Sequence, residues 1–138
     1  MIEEYLQAKD LRYLTDNDGD FEVRFGYDDG WGCELTVNFE TQNEGEIYCV
    51  RVWSNKRIPR SDWGRALMLC NTWNIERRWP KMFLYYTDLD EDQTAVIVAE
   101  GQVDLGDGTH PDFIDTFTSS IVSGSFSFWK WAHDEKKF

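Results

Sequence analysis

The residues best placed to do chemistry in this 138-residue sequence form an acidic loop, Asp16-Asn17-Asp18-Gly19-Asp20. Alternating carboxylates open a calcium-binding loop of the EF-hand kind, which needs Gly at its sixth position and Glu at its twelfth. Here those positions hold Phe21 and Tyr27. A strand-like pattern follows where a helix is required, so the stretch reads as a turn and no metal site is expected. Gly106-x-Gly108 before a helix start could cradle a phosphate, yet the third Gly and any following Lys-Ser/Thr are missing. Asp107 would also repel an anion. His110 and His133 are the two histidines, and neither has the neighbours of a metal site or a nucleophilic triad; both are expected to face solvent. The carboxylates of 88–92 and 104–107 read as solvated turns rather than an acid/base pair. No catalytic constellation and no cofactor motif emerges, so the expectation is a protein that is not an enzyme.

One set of side chains stands apart: Asn71, Trp73, Asn74, Arg77, Arg78 and Trp79. An amide on the buried stripe of a helix must find hydrogen-bond partners, so Asn74, with Asn71 beside it, reads as a clamp to the next loop or strand. Arg and Trp are also the residue types that dominate protein interfaces. The set is therefore a candidate structural clamp or partner-binding corner.

These residues must be positioned by a helix. Ser61 is the expected cap, Asp62 adds favourable charge, and the helix should run to about Trp79, where Pro80 stops it. Its expected inner stripe is Trp63, Ala66, Leu67, Cys70 and Asn74. Before it, residues 2–9 suit a short helix with Ile2, Tyr5 and Leu6 on one face. Alternation over 21–27 and 33–39 about Asp28-Asp29-Gly30 signals an antiparallel hairpin. A third strand spans 47–53 and ends at Ile58-Pro59-Arg60. After the helix, strands are expected over 82–87 and 94–100, the second apolar on both faces. Thr109 as cap, Pro111 in the first turn and Asp112 at the capping-box position start a last helix. Its expected stripe is Phe113, Phe117, Ile121, Gly124 and Phe128, with Trp131 or Ala132 beyond, and Gly124 should let it approach the sheet. The order is α-β-β-β-α-β-β-α, an α+β fold in one domain over residues 1–138.

Composition narrows the partners. The chain carries 26 acidic and 14 basic residues, a formal charge of -12, which disfavours nucleic acid and anionic membrane as partners. Aromatics make up 16% of residues, enough for a core despite the acidity. Cys33, Cys49 and Cys70 have no CxxC spacing and suit reduced, buried thiols; with no apolar leader or spanning segment, a cytoplasmic protein is expected.

The phrase CNTWNIERRWPK (70–81), then a strand, an acidic turn, an apolar strand ending in Glu100, VDLGDG and a long helix, resembles the YbjN family. LRYLTDNDGDFEVRF (11–25) is similar to that family's opening. The resemblance implies a bacterial regulator of sensory transduction. It also implies a fold like that of type III secretion chaperones: a twisted antiparallel sheet with helices packed on it, often in dimers. It supplies no catalytic residues. The expected function is regulation by binding protein, a partner or a second copy in a homodimer. The alternative is a small-molecule sensor or an undetected enzyme, with a pocket between sheet and helix.

Overall fold

The computed structural model describes residues 1–86 and 93–138. The expected acidic turn at 88–92, and Thr87 at the end of its strand, lie outside the described residues. The elements run α1 (Ile2–Ala8), β1 (Leu14–Thr15), β2 (Phe21–Asp28), β3 (Cys33–Gln42), β4 (Ile47–Ser54), β5 (Ile58–Pro59), α2 (Trp63–Glu76), β6 (Lys81–Tyr85), β7 (Thr94–Asp104) and α3 (Pro111–Asp134). This is the α+β architecture expected from the sequence, with two added strands of two residues each. Ile58–Pro59 does not simply end a strand: it pairs with Ala95 and Thr94.

All strand pairs are antiparallel. The order is β1-β2-β3-β4-β7, with β6 and β5 both paired to β7. The strand that reads as apolar on both faces, β7, pairs with β4, β5 and β6, and it extends to Asp104 rather than Glu100. The β2–β3 hairpin forms about Asp28, whose Oδ1 accepts from the Gly30 N–H at 2.7 Å, and Gly32 supplies the positive φ that closes the loop. The register slips between Phe25 and Asp28, so the turn is wider than a two-residue hairpin.

Alternation divides the sheet into two faces. Val23, Leu35, Val37, Phe39, Tyr48, Val50, Val52, Ile97 and Ala99 are buried and share the face on which the helices lie. Tyr5 of α1 packs against Phe39, and Tyr48 hydrogen-bonds Thr118 of α3 at 2.7 Å. Trp73 of α2 meets Phe128 of α3 edge-on at 5.5 Å. Each fully buried aromatic or aliphatic side chain here contributes about 1.5–3 kcal/mol by leaving water.

α3 buries Ile121, Phe128 and Ala132 as expected, but Ile114, Thr118 and Ser125 are buried where Phe113, Phe117 and Gly124 were expected, and Phe113 is exposed. Its cap is His110, not Thr109; the imidazole Nδ1 accepts from the Asp112 N–H at 3.2 Å. His133 is only half-buried, and its ring lies where a Cβ on Gly32 would be. The glycine that lets α3 approach the sheet is Gly101 of β7, where a Cβ would collide with Ile121. Gly124 instead makes room for the Trp79–Pro80 turn: a Cβ there would come within 2.7 Å of Pro80 Cδ.

Candidate functional site: the outer face of the central helix

α2 is apolar nearly all round, so sequence period alone does not say which side faces the core. A 3-10 turn at Arg60–Asp62 leads into it, and no side chain caps it, so Ser61 does not play the expected role. It ends at Glu76, three residues short of Trp79, because Arg77 adopts extended angles. The inner side is Ala66, Leu69, Cys70 and Trp73. Leu67, expected inside, is 51% exposed, and Met68 and Ile75 are 72% and 74% exposed. Met68, Asn71 and Ile75 follow one another at helical spacing, so they form one outward stripe.

Asn74 is exposed as a residue rather than buried, yet its amide is engaged. Nδ2 donates to the Met82 carbonyl at 2.9 Å, and Oδ1 accepts from the Met82 N–H at 3.0 Å. Met82 lies in β6, which among the described residues pairs only with β7. An edge strand presents unpaired backbone groups outward, and the Asn74 amide meets them as a neighbouring strand would. Asn71 lies one turn earlier and faces solvent.

The remaining candidates separate. Trp73 is 4% exposed and belongs to the core, between Phe128 and Trp131, so it offers no surface to a partner. Arg77 lies over its ring at 5.3 Å, and Arg78 lies over Trp79 at 5.7 Å. Trp79 is 50% exposed just past the end of α2, on the side of α3. A shallow cleft of about 280 Å³ is lined by Trp73, Arg77 and Trp79 on one side and Ser120, Ser123 and Gly124 on the other.

The face of the sheet away from the helices carries a charge chain that sequence reasoning missed. Arg51 Nε donates to Glu100 at 2.6 Å and its Nη1 to Glu40 at 3.0 Å, while Lys81 Nζ reaches Glu100 at 2.8 Å. Arg51 and Lys81 both stand opposite Glu100 in the strand register. Burial pushes the Glu100 carboxyl up, but the bonds from Lys81 and Arg51 together outweigh it and hold the group below the usual carboxylate range. The pairs that make this chain are 11, 19 and 49 positions apart, so only the register reveals it.

The acidic loop is a turn in the structure. Asp16 Oδ1 accepts the N–H groups of both Asp18 and Asp20 at 2.9 Å. The carboxylates of Asp16, Asp18 and Asp20 lie within 4.8 Å of one another, the one acidic grouping of that kind among the described residues. Burial, then the charge of Asp16, raises the Asp20 carboxyl. Cys33, Cys49 and Cys70 are buried free thiols. Burial pushes Cys49 up to about 11 and Cys70 up to about 12.

Residues 1–128 match the YbjN family, described as "Putative bacterial sensory transduction regulator". The chain belongs to the YbjN family. Among solved structures, the crystal structure of "YbjN, a putative transcription regulator from E. coli" is similar at a TM-score of 0.74 and 10% identity. That match covers 98% of this chain and 90% of the other. At that identity the likeness concerns the fold alone. No curated protein sequence gives a significant match. The YbjN membership agrees with the resemblance carried by residues 70–81 and 11–25, and it brings no catalytic residue to the sites described above.

Proposed function

We propose that this YbjN-family domain regulates by binding another protein through the outer face of α2 and the adjoining Trp79 corner, without catalysing a reaction itself. The observation that carries this reading is the exposure of Met68 and Ile75, each above 70%, on a well-packed helix. Single exposed apolar residues are ordinary, but Leu67, Met68 and Ile75 all stand on α2 and Trp79 follows three residues past its end, and such patches mark interaction surfaces. The family description as a regulator is consistent with it. The test is the double substitution Met68→Glu/Ile75→Glu. It should leave Tm within a degree or two, because both side chains are already in water. It should abolish capture of whatever protein the unsubstituted domain retains. Unchanged capture would remove this face from the account. The same variant addresses self-association: if a homodimer uses this face, the substitution converts it to monomer.

A second reading has its own observation. Between α1 and the start of α3 lies a groove of about 520 Å³, lined by Tyr5, Ala8, Pro111 and Ile114, with Lys9 and Asp115 paired at its rim. That volume falls in the range of small-molecule sites. It lies between two helices, not between sheet and helix. A metabolite that raises Tm by several degrees, and loses that effect in Ile114→Trp, would favour a sensor.

A further inference from the structure

We infer that the groove between α1 and α3 takes a small organic cation, an amine carried on an apolar body, and that Glu4 on one wall and Asp112 on the other supply its counter-charge. The inference rests on the second reading above, in which this groove is a small-molecule site, and adds the class of ligand. It is independent of the α2 face.

The first ground is what lines the groove. Glu4, Tyr5 and Ala8 recur at helical spacing and share one side of α1. The first turn of α3 brings Pro111, Asp112, Ile114 and Asp115 against them. Tyr5, Ala8, Pro111 and Ile114 offer an apolar body a place out of water, in a volume of about 520 Å³. The Tyr5 ring is fixed across the gap, its hydroxyl 3.3 Å from Ser119 Oγ. The groove also holds one ammonium already. Lys9 Nζ lies 3.1 Å from Asp115 and 5.8 Å from the centre of the Tyr5 ring, a carboxylate and an aromatic face together.

The second ground is the sign of the charge. Three carboxylates line the groove, Glu4, Asp112 and Asp115, against one side-chain cation, Lys9. Lys9 is occupied by Asp115, whose Oδ1 also accepts from Ser119 Oγ at 3.1 Å. Glu4 has no ion-pair partner among the described residues, and Asp112 has only the His110 ring, at 3.7 Å. Two carboxylates are thus left for a ligand. An anion is disfavoured even though α3 begins here, because the amides that a helix start offers already have partners. The Asp112 N–H donates to the His110 imidazole, and the Phe113 and Ile114 N–H groups donate to the His110 carbonyl at 3.0 and 3.2 Å. The formal charge of -12 acts in the same direction, repelling anions and drawing cations.

The test uses the whole domain, labelled with nitrogen-15, and three probes at millimolar concentration that share one body and differ in the head: phenylbutylamine, phenylbutanol and phenylbutyrate. The amine should shift amides within residues 4–9 and 109–115. At low ionic strength it should bind about fivefold tighter than the alcohol, with the acid weakest. In Glu4→Gln/Asp112→Asn that preference should fall below about twofold, with Tm moved by no more than a degree or two, because both side chains are exposed. Ala8→Trp fills the groove from an exposed position, without touching the core, and should remove the binding of all three. Equal binding of the alcohol, or tighter binding of the acid, overturns the cationic ligand and leaves the groove standing as a small-molecule site. A preference for the amine that survives Glu4→Gln/Asp112→Asn overturns the assignment of these carboxylates. Amine shifts centred on the acidic loop at 16–20 instead of the groove show attraction to bulk charge and overturn the inference. If no probe shifts the groove, both this inference and the small-molecule reading beneath it fail, while the reading of α2 is untouched.

Discussion

Replacing Asn74 by alanine removes the amide that pairs with both backbone groups of Met82 at the sheet edge. Each such bond contributes about 0.5–1.5 kcal/mol net, so the pair is worth about 1–3 kcal/mol. Asn74 is exposed as a residue, and water reaches part of what is freed, which places the expected loss at about 1–2 kcal/mol. For a chain of this length that is a fall in Tm of about 3–10 °C. Asn71→Ala, one turn earlier and facing solvent, should stay within about 0.5 kcal/mol and serves as the control. Asn74→Asp separates the two bonds. It keeps the acceptor for the Met82 N–H but sets a carboxylate against the Met82 carbonyl, so at neutral pH it should cost more than alanine. Urea denaturation of the three variants measures this. If Asn74→Ala is as mild as Asn71→Ala, the amide does not guard the edge and the clamp argument is wrong.

Three further outcomes follow from the packing. Glu100→Gln should cost about 1–3 kcal/mol by loosening the chain that joins Glu40, Arg51 and Lys81. Because folding lowers the Glu100 pKa, its ionised form stabilises the fold above the unfolded value of about 4.3 and that stability is lost as pH falls through the folded value; acid denaturation of Glu100→Gln should lack this component. Gly101→Ala should destabilise by about 1–3 kcal/mol, since a Cβ there collides with Ile121, whereas the same change at Gly26, where nothing lies within 4 Å, should be mild. All three thiols should resist a disulfide reagent in the folded protein and react together on unfolding, and a fast native reaction of any one would contradict its burial.

The hairpin, the central strand β7 and the helix order were legible because alternation and turn residues are local signals. The inner side of α2 was not. Trp63, Ala66, Leu67, Leu69, Cys70 and Trp73, with Met68 and Ile75, leave apolar residues around most of its circumference, and the elements packed against it, β6 and α3, decide which of them are buried. The cap of α3 was misplaced by one residue because Thr109 and His110 both offer an acceptor, and only the chain's entry into the helix selects between them. The role expected of Gly124 falls to Gly101 for the same reason: close approach depends on the partner element. Asn74 was legible as an amide in need of partners, but not as an exposed residue that bonds the sheet edge. The exposed Met68 and Ile75 could have been flagged as apolar residues off the expected stripe.

The measurement that bears most directly on the account is photo-crosslinking in living cells, with a photoreactive residue placed in turn at Met68, Asn71 and Ile75. Tyr27, exposed on the hairpin, serves as the control position. The account predicts one defined protein adduct from the α2 positions, absent from the control and lost when Trp79 is replaced by glutamate. No adduct from any α2 position, or the same adducts from Tyr27, would contradict it.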